Sequence, residues 1–326
     1  MLKNNILQLL KNNKNKYISG QDLCDTFNVS RTAIWKCIKE LKSDGYIIES
    51  QHKTGYMLIS EPDILSYIEI YPYLKTKFIG RNYIHFESIT STNDYAKEIA
   101  FKCDNGTVIV SEEQTSGRGR LGRSWVSNKG EGIWMSIILK PDLNPQEAVK
   151  LTQVAAVAVV DSIKDATGLS SGIKWPNDII VDRKKVCGIL TEMNAELDKV
   201  YYVVVGIGLN ANVTTFPKDL NDKATSLLIS AGKKIDRKQL TASILNNFEK
   251  YYGVYLSKGF SYIRTMCIKY SLTLNSDVRI ISNNHEYIGH AIDIDDDGNL
   301  IVELKNGDRK TIMSGDVSVR GILGYV

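Results

Sequence analysis

Long apolar runs are absent from this 326-residue chain. Without a stretch of about eighteen consecutive apolar residues, no segment is expected to cross a membrane as a helix. The opening Met1-Leu2-Lys3-Asn4-Asn5 also lacks the pattern of a secretory signal. Cysteine is sparse: Cys24, Cys37, Cys103, Cys187 and Cys267 are scattered, odd in number and without a C-x-x-C pair. That argues against a disulfide framework and a zinc site, and it suits a reducing, cytoplasmic location. No dedicated cluster of metal-ligating residues stands out, so no protein-held metal is expected.

Beyond the first sixty residues the chain also lacks net charge. Residues 1–60 carry nine lysines and arginines against five acids, which leaves 32 of each sign for the remainder. The whole excess of +4 therefore sits in one small segment. A localised basic excess is the footprint of a nucleic-acid-binding module. The overall length fits two or three soluble domains with material for a sizeable core.

The basic segment has the matching pattern. Leu2, Ile6, Leu9 and Leu10 follow helical spacing, and Ser19, three residues before Asp22, starts a second short helix. After a tight turn at Phe27-Asn28-Val29, Ser30 caps a third helix, which Gly45 stops. Ile34, Ile38 and Leu41 give this helix a buried stripe. Its opposite face carries Arg31, Thr32, Trp35, Lys36, Lys39 and Lys42, types that reach base edges and phosphates. A hairpin follows, with Lys53 near its tip. Three helices and a hairpin resemble a winged helix-turn-helix. A helical protein-interaction domain with a solvated basic face is the alternative.

Gly117-Arg118-Gly119-Arg120-Leu121-Gly122-Arg123-Ser124-Trp125 is the most informative stretch. Glycines let a backbone wrap a ligand, and arginine forks match carboxylate and phosphate oxygens. The glycines spell G-x-G-x-x-G, yet a strand-like run at 133–139 follows instead of a helix, so a dinucleotide fingerprint is excluded. A solvated or RNA-binding basic loop stays open at this level.

The surrounding chain alternates strands and helices. A helix is expected over 65–76 and a strand at 83–86. Ser91-Thr92-Asn93 caps a helix over 94–103; such a start also suits an amide-like ligand. A single long buried helix is expected over 147–167. Lys174-Trp175-Pro176-Asn177-Asp178 marks a turn before a hairpin that carries Lys185 near its tip, where the apolar return strand begins. Tyr202 to Asn210 forms a buried strand ending on Gly206, Gly208 and Asn210. Short strands broken by Asp295-Asp296-Asp297-Gly298-Asn299 and Lys305-Asn306-Gly307-Asp308 make the chain end all-β.

In this order Ser91-Thr92-Asn93, Gln114, the 117–125 loop, Lys174-Trp175-Pro176-Asn177-Asp178, Lys185 to Leu190 and Gly206-Ile207-Gly208-Leu209-Asn210 resemble the motif set of biotin protein ligases. With the N-terminal module, the chain resembles their bifunctional type, ligase and biotin operon repressor. Leu121 stands where some members have a further arginine. The resemblance implies an α+β protein in three parts. Residues 1–60 would be the winged helix-turn-helix. Residues 61–270 would be a mixed α/β ligase domain related to class II aminoacyl-tRNA synthetases, and 271–326 an SH3-like β-barrel.

The implied reaction joins biotin to a lysine of a carboxylase's biotin carrier domain through biotinyl-5′-AMP. ATP and biotin are substrates, Mg²⁺ accompanies the nucleotide, and no permanent cofactor is needed. The resemblance places Arg118 and Lys185 at the reacting carboxylate and phosphate. Ser91, Thr92, Asn93, Gln114 and Gly188 join them at biotin. Arg120, Arg123, Trp125, Lys174, Asn177, Asp178 and Asn210 fall on the nucleotide side. Arg320, in Val319-Arg320-Gly321, falls to the nucleotide, the acceptor or a structural role. Operator DNA, bound by a homodimer formed on biotinyl-AMP, would be the second partner. A ligase for lipoate or another acyl group and a non-catalytic biotin-sensing repressor are the rival readings.

Overall fold

A computed structural model describes residues 2–282, 285–313 and 317–321. The chain divides into two compact units, 1–63 and 64–326.

The first unit holds α1 (Leu2–Asn12), α2 (Gly20–Phe27) and α3 (Arg31–Ser43), then the hairpin β1 (Ile47–Gln51) and β2 (Gly55–Ser60). Ser19 Oγ accepts from Asp22 N and Ser30 Oγ from Ala33 N, so both predicted caps form. Asn28 takes the left-handed conformation (φ 50°) that ends α2 and turns the chain toward α3. Ile6, Leu7, Leu10, Leu23, Ile34, Ile38, Leu41 and Leu58 are buried. Three short helices and one strand thereby share a core none could bury alone.

The second unit begins with α4 (Tyr67–Ile70) and a 3₁₀ turn at Tyr71–Tyr73. The helix expected over 65–76 is interrupted because Pro72 supplies no backbone donor, and the chain tightens there. Then come β3 (Tyr83–Phe86), α5 (Thr92–Ile99), β4 (Val108–Ser111) and β5 (Ile133–Leu139). The long helix expected over 147–167 is two, α6 (Pro145–Val149) and α7 (Leu151–Thr167). Asn144 and Glu147 form a capping box that starts the chain earlier than expected, and Lys150 separates the two helices.

Next are β6 (Gly172–Lys174), β7 (Asp178–Val181), β8 (Lys184–Glu196), β9 (Lys199–Leu209), α8 (Leu227–Ala231), α9 (Arg237–Lys258) and α10 (Ser261–Tyr270). The seven strands run in the order β3-β4-β5-β9-β8-β7-β6. Only β3 and β4 pair in parallel; every other pair is antiparallel. The mixed sheet carries the main core, Val154 to Val160 of α7 and Leu240 to Phe248 of α9 included, on one face. On the other face α5 packs Ala96 and Ala100 on Ile109, Ile138, Tyr202 and Val204.

Five antiparallel strands end the chain: β10 (Ser276–Ser282), β11 (His285–Ile294), β12 (Leu300–Leu304), β13 (Arg309–Ile312) and β14 (Val317–Gly321). Their order is β13-β12-β11-β10-β14, and Arg320 pairs with Arg279 in the β14–β10 register. The Arg320 side chain lies outside the described residues.

This sheet shares the main core, to which it adds Val278, Ile280, Ala291, Ile294, Leu300, Val302 and Ile312, and buried hydrogen bonds also tie it to the ligase part. Gln153 Nε2 and Trp175 Nε1 both donate to the carbonyl of Gly298, at 2.6 and 3.0 Å. Trp175 N donates to Thr273 Oγ1 at 2.9 Å.

Candidate functional site

Strand alternation fixes the floor of the site. Along β9, Tyr202 and Val204 face α5, so Gly206 and Gly208 face the same way. Gly206 pairs with Ser136 on one side and Leu190 on the other; Gly208 pairs with Trp134 and Gly188. Along β9 this face therefore shows only backbone at Gly206 and Gly208, flanked on β5 by Ser136 and Trp134. A Cβ at Gly206 would sit 2.2 Å from Asn93 Oδ1, and one at Gly208 would sit 2.6 Å from Trp125 Nε1. Glycine is what lets a helix end and an indole lie directly on the sheet.

One wall is the start of α5. Ser91 Oγ caps it through Asp94 N at 3.3 Å. Thr92 N and Oγ1 both donate to Gln114 Oε1, at 2.9 and 3.0 Å. Gln114 Nε2 donates to Ser127 Oγ at 2.9 Å, which ties this wall to the far end of the glycine-arginine loop. Asn93 is buried and committed: its amide donates to Glu192 Oε2 at 2.8 Å and to the carbonyl of Leu190 at 3.3 Å. Ser136 Oγ lies 2.8 Å from Thr92 Oγ1 and 2.6 Å from Asn93 Oδ1.

The other wall is the loop between β4 and β5. Trp125 N donates to the carbonyl of Gly117 at 2.8 Å, and Gly119 N to that of Arg123 at 2.7 Å, so the segment closes as a small hairpin. Leu121 and Gly122 at its tip take positive φ, 55° and 70°. Arg118 is exposed but held, its Nε 2.8 Å from Asp94 Oδ2. Arg120 NH1 donates to Asn177 Oδ1 at 3.1 Å, whereas Arg123 is exposed. A cavity of about 580 Å³ runs along this loop, lined by Gln114, Arg118, Arg123 and Trp125 among others.

Lys185 enters from the base of β8, its Nζ 2.5 Å from Asp178 Oδ1 and 5.1 Å from the centre of the Trp125 ring. The indole Nε1 is buried with no hydrogen-bond partner among the described residues. A buried donor left unpaired is costly, which marks this as a place completed by something else. Lys174 is buried on β6 opposite Asp178, and the Trp175–Pro176 bond is cis. Asn210 donates through Nδ2 to the carbonyl of Thr225 at 3.1 Å, holding the chain that leaves β9.

The structure thus brings Ser91, Thr92, Asn93, Gln114, Arg118, Trp125, Lys185 and Gly188 around one glycine floor. Arg120, Asn177, Asp178, Lys174 and Asn210 flank it, and Arg123 stands outermost. Sequence reasoning missed Ser136, Glu192 and Asp94. Ser136 had a signal: it is the single polar residue in the fully buried Ile133–Leu139 strand. Glu192 and Asp94 had none, because an acid on a strand or in a first helical turn is ordinary.

Two further clusters carry charge. Glu112, just beyond β4, accepts from Leu65 N at 2.6 Å, lies 3.0 Å from His85 Nε2 and accepts from Arg237 NH1 at 3.0 Å. Burial works to raise its pKa, but the His85 hydrogen bond and the Arg237 charge outweigh this and hold it below the usual carboxylate value. Lys97 bonds Asp94 and Glu192, at 3.0 and 2.6 Å. Burial works to lower its pKa, and those two carboxylates more than offset it, so it stands raised.

In the first unit, Arg31, Thr32, Trp35, Lys36, Lys39 and Lys42 all lie on the exposed side of α3. Lys39 Nζ stands 5.3 Å over the Trp35 ring, and Trp35 is 56% exposed, large for an indole with no apolar cover. Lys53 is exposed in the β1–β2 turn with φ 65°.

Comparison with known proteins covers all of these parts. The profile of the Biotin/lipoate A/B protein ligase family matches residues 85–210, an HTH domain profile matches 3–57, and the Biotin protein ligase C terminal domain matches 273–320. The chain is 43% identical over 321 residues to the Bifunctional ligase/repressor BirA of Bacillus subtilis (strain 168), covering 98% of each. It is 26% identical over 315 residues to the protein of that name from Escherichia coli (strain K12), covering 97% of this chain and 96% of the other. Among solved structures, the biotin protein ligase from Aquifex aeolicus in complex with biotin and ATP superposes with a TM-score of 0.66. There the identity is 30%, over 74% of this chain and 99% of that one.

Proposed function

Since the chain belongs to the biotin protein ligases of the bifunctional ligase/repressor type, we propose that it forms biotinyl-5′-AMP and transfers biotin to a carrier lysine. The observation that carries this reading is the convergence of Lys185 and the buried Trp125 Nε1 over the Gly188–Gly208 floor, with Arg118 lining the adjoining loop cavity beside Trp125. In the first step a biotin carboxylate oxygen attacks the α-phosphorus of ATP, and pyrophosphate leaves. In the second, the carrier lysine amine attacks the acyl carbon, and AMP leaves.

Two anions must approach in the first step, so fixed cations are worth most where charge develops. Lys185 supplies one, already oriented by Asp178, and Arg118 the other. Thr92, Gln114 and the Ser91-capped helix start read the ureido ring, while Asn93 shapes the pocket through its bonds to Glu192 and Ser136. Gly188 gives close approach to the thiophene end. Trp125, Arg120, Arg123, Lys174, Asn177, Asp178 and Asn210 face the nucleotide. Mg²⁺ enters with the triphosphate; among the described residues no group of three metal-ligating side chains exists to hold it. The loop excludes water from an anhydride that hydrolyses readily.

The helix-turn-helix unit is the repressor part, and α3 with Lys53 is its DNA-reading surface. A homodimer formed on biotinyl-AMP gives the two-fold match to a palindromic operator. In this reading residues 1–60 serve DNA, 61–270 the chemistry and 271–326 support, and the cytoplasm is where operator and carrier are both found. No described helix is long and apolar enough to cross a membrane.

Incubation with ATP, radiolabelled biotin and a biotin carrier domain tests the activity; labelled lipoate with a lipoyl domain is the parallel arm. Label on the biotin carrier alone is expected, and no label there would overturn the reading. Gel-shift titration tests the regulation: operator affinity is expected to rise with biotin plus ATP.

A further inference from the structure

The first turn of α5 sends three consecutive side chains in three directions. Thr92 goes to Gln114 and Ser136, Asn93 to Glu192 over Gly206, and Asp94 outward to the glycine-arginine loop. Helical geometry requires this divergence, since successive residues turn by about 100°. Asp94 Oδ2 takes the Nε of Arg118 at 2.8 Å, while Oδ1 faces Lys97 Nζ at 3.0 Å. Lys97 is in turn anchored on Glu192, which also holds Asn93. A chain of charge-assisted bonds thus runs from the site floor to Arg118 of the loop. The loop is tied down at its other end by Gln114 and Ser127.

We propose that Asp94 is a positioning residue for the ligase reaction, orienting the Arg118 guanidinium toward the reacting anions. The inference rests on the ligase reading above. A guanidinium has five donors, so holding it through Nε fixes its plane and leaves its terminal nitrogens to bond ligand oxygens. Without Asp94 the arginine is a long, solvated side chain on a loop, and its ordering must be repaid at every ligand encounter. Lys97 keeps the carboxylate itself from swinging away. A plain structural role is the competing account, because an acid in a first helical turn also favours the helix dipole.

A double-mutant cycle separates the two. Biotin-dependent pyrophosphate–ATP exchange would be measured for wild type, Asp94→Asn, Asp94→Glu, Arg118→Ala and Asp94→Asn/Arg118→Ala, with unfolding midpoints alongside. Asp94→Asn is expected to lower kcat/KM about tenfold, with Asp94→Glu recovering part of the loss. The double variant should be no worse than Arg118→Ala, because Asp94 acts only through the arginine. Equal losses from Asp94→Asn with and without Arg118, or no loss with Arg118 present, would overturn the proposal while leaving the ligase reading intact. Absence of exchange in wild type would overturn both.

Discussion

Glu112 meets Arg237 at 3.0 Å with side chains 2% and 0% exposed, whereas Asp94 meets Arg118 at 2.8 Å with side chains 32% and 58% exposed. The chemistry is the same carboxylate–guanidinium pair, and residues 112 and 118 are close along the chain. Their surroundings make them opposites. The buried pair is cross-braced by His85, by Leu65 N and by the carbonyl of Gly132, which accepts from Arg237 at 2.9 Å. Removing one member strands a charge in a low dielectric, so the pair cannot open during function. The exposed pair opens to water at small cost, and while it is closed the terminal nitrogens of Arg118 stay free for a ligand. Strength belongs at the root of the loop and exchange with solvent further along it.

The sharpest way to break the contrast is at the root. Glu112→Gln is expected to cost about 3–5 kcal/mol of unfolding free energy, as when one partner of a buried pair is lost. Urea unfolding would show it, and a cost below about 1 kcal/mol would mean the buried pair behaves like the exposed one. Lys185→Met comes next, with an expected loss of about a hundredfold or more in adenylate formation. Its unfolding midpoint should stay close to wild type, because the lysine's partner Asp178 lies at the site and not in the core.

Trp175→Phe keeps an aromatic ring but loses the indole's second ring and its donor to Gly298, so at least about 1–2 kcal/mol of stability should be lost with far less effect on adenylation. The smallest effect is expected at the tip: Arg123→Ala should change exchange activity by about threefold or less. A larger change would move Arg123 from the rim into the chemistry.

Acid adds a further edge to the comparison. Glu112 has a folded pKa below its unfolded one, so its contribution is complete above the ordinary carboxylate value, about 4.3. It is lost as pH falls through the lowered folded value. Wild type is therefore expected to lose stability steeply over that acid range, and Glu112→Gln should show a shallower slope there. Thermal unfolding followed from pH 6 downward, at intervals of about half a unit, would display the difference. Parallel slopes would remove Glu112 as the titrating group.

Much of the site was legible without coordinates because its residues are unusual for their local roles. Three arginines among three glycines, a Lys-Trp-Pro-Asn-Asp run and glycines ending an apolar strand have no ordinary packing explanation. The elements that went astray did so at boundaries. Pro72 cut one expected helix to a single turn, and Lys150 divided another, since caps and breaks act over one or two residues while periodicity is read over many. Ser136 and Glu192 escaped because each is commonplace in sequence, and only strand pairing sets them under Asn93.

Sequence by itself determined the parts list: a basic helical module with its caps, an apolar mixed sheet, a flexible arginine loop and a second lysine downstream. These follow from short-range physics, namely periodicity, capping and charge, which neighbouring residues settle among themselves. The tertiary structure alone decided that Asp94 would face Arg118 and that Lys185 would rest on Asp178 beneath Trp125. It also decided that the carbonyl of Gly298 would bind the tryptophan of the lysine run. Apart from the hairpin neighbours Lys185 and Asp178, those pairings join residues far apart along the chain, and what selects them is strand register and the demand that buried polar groups find partners.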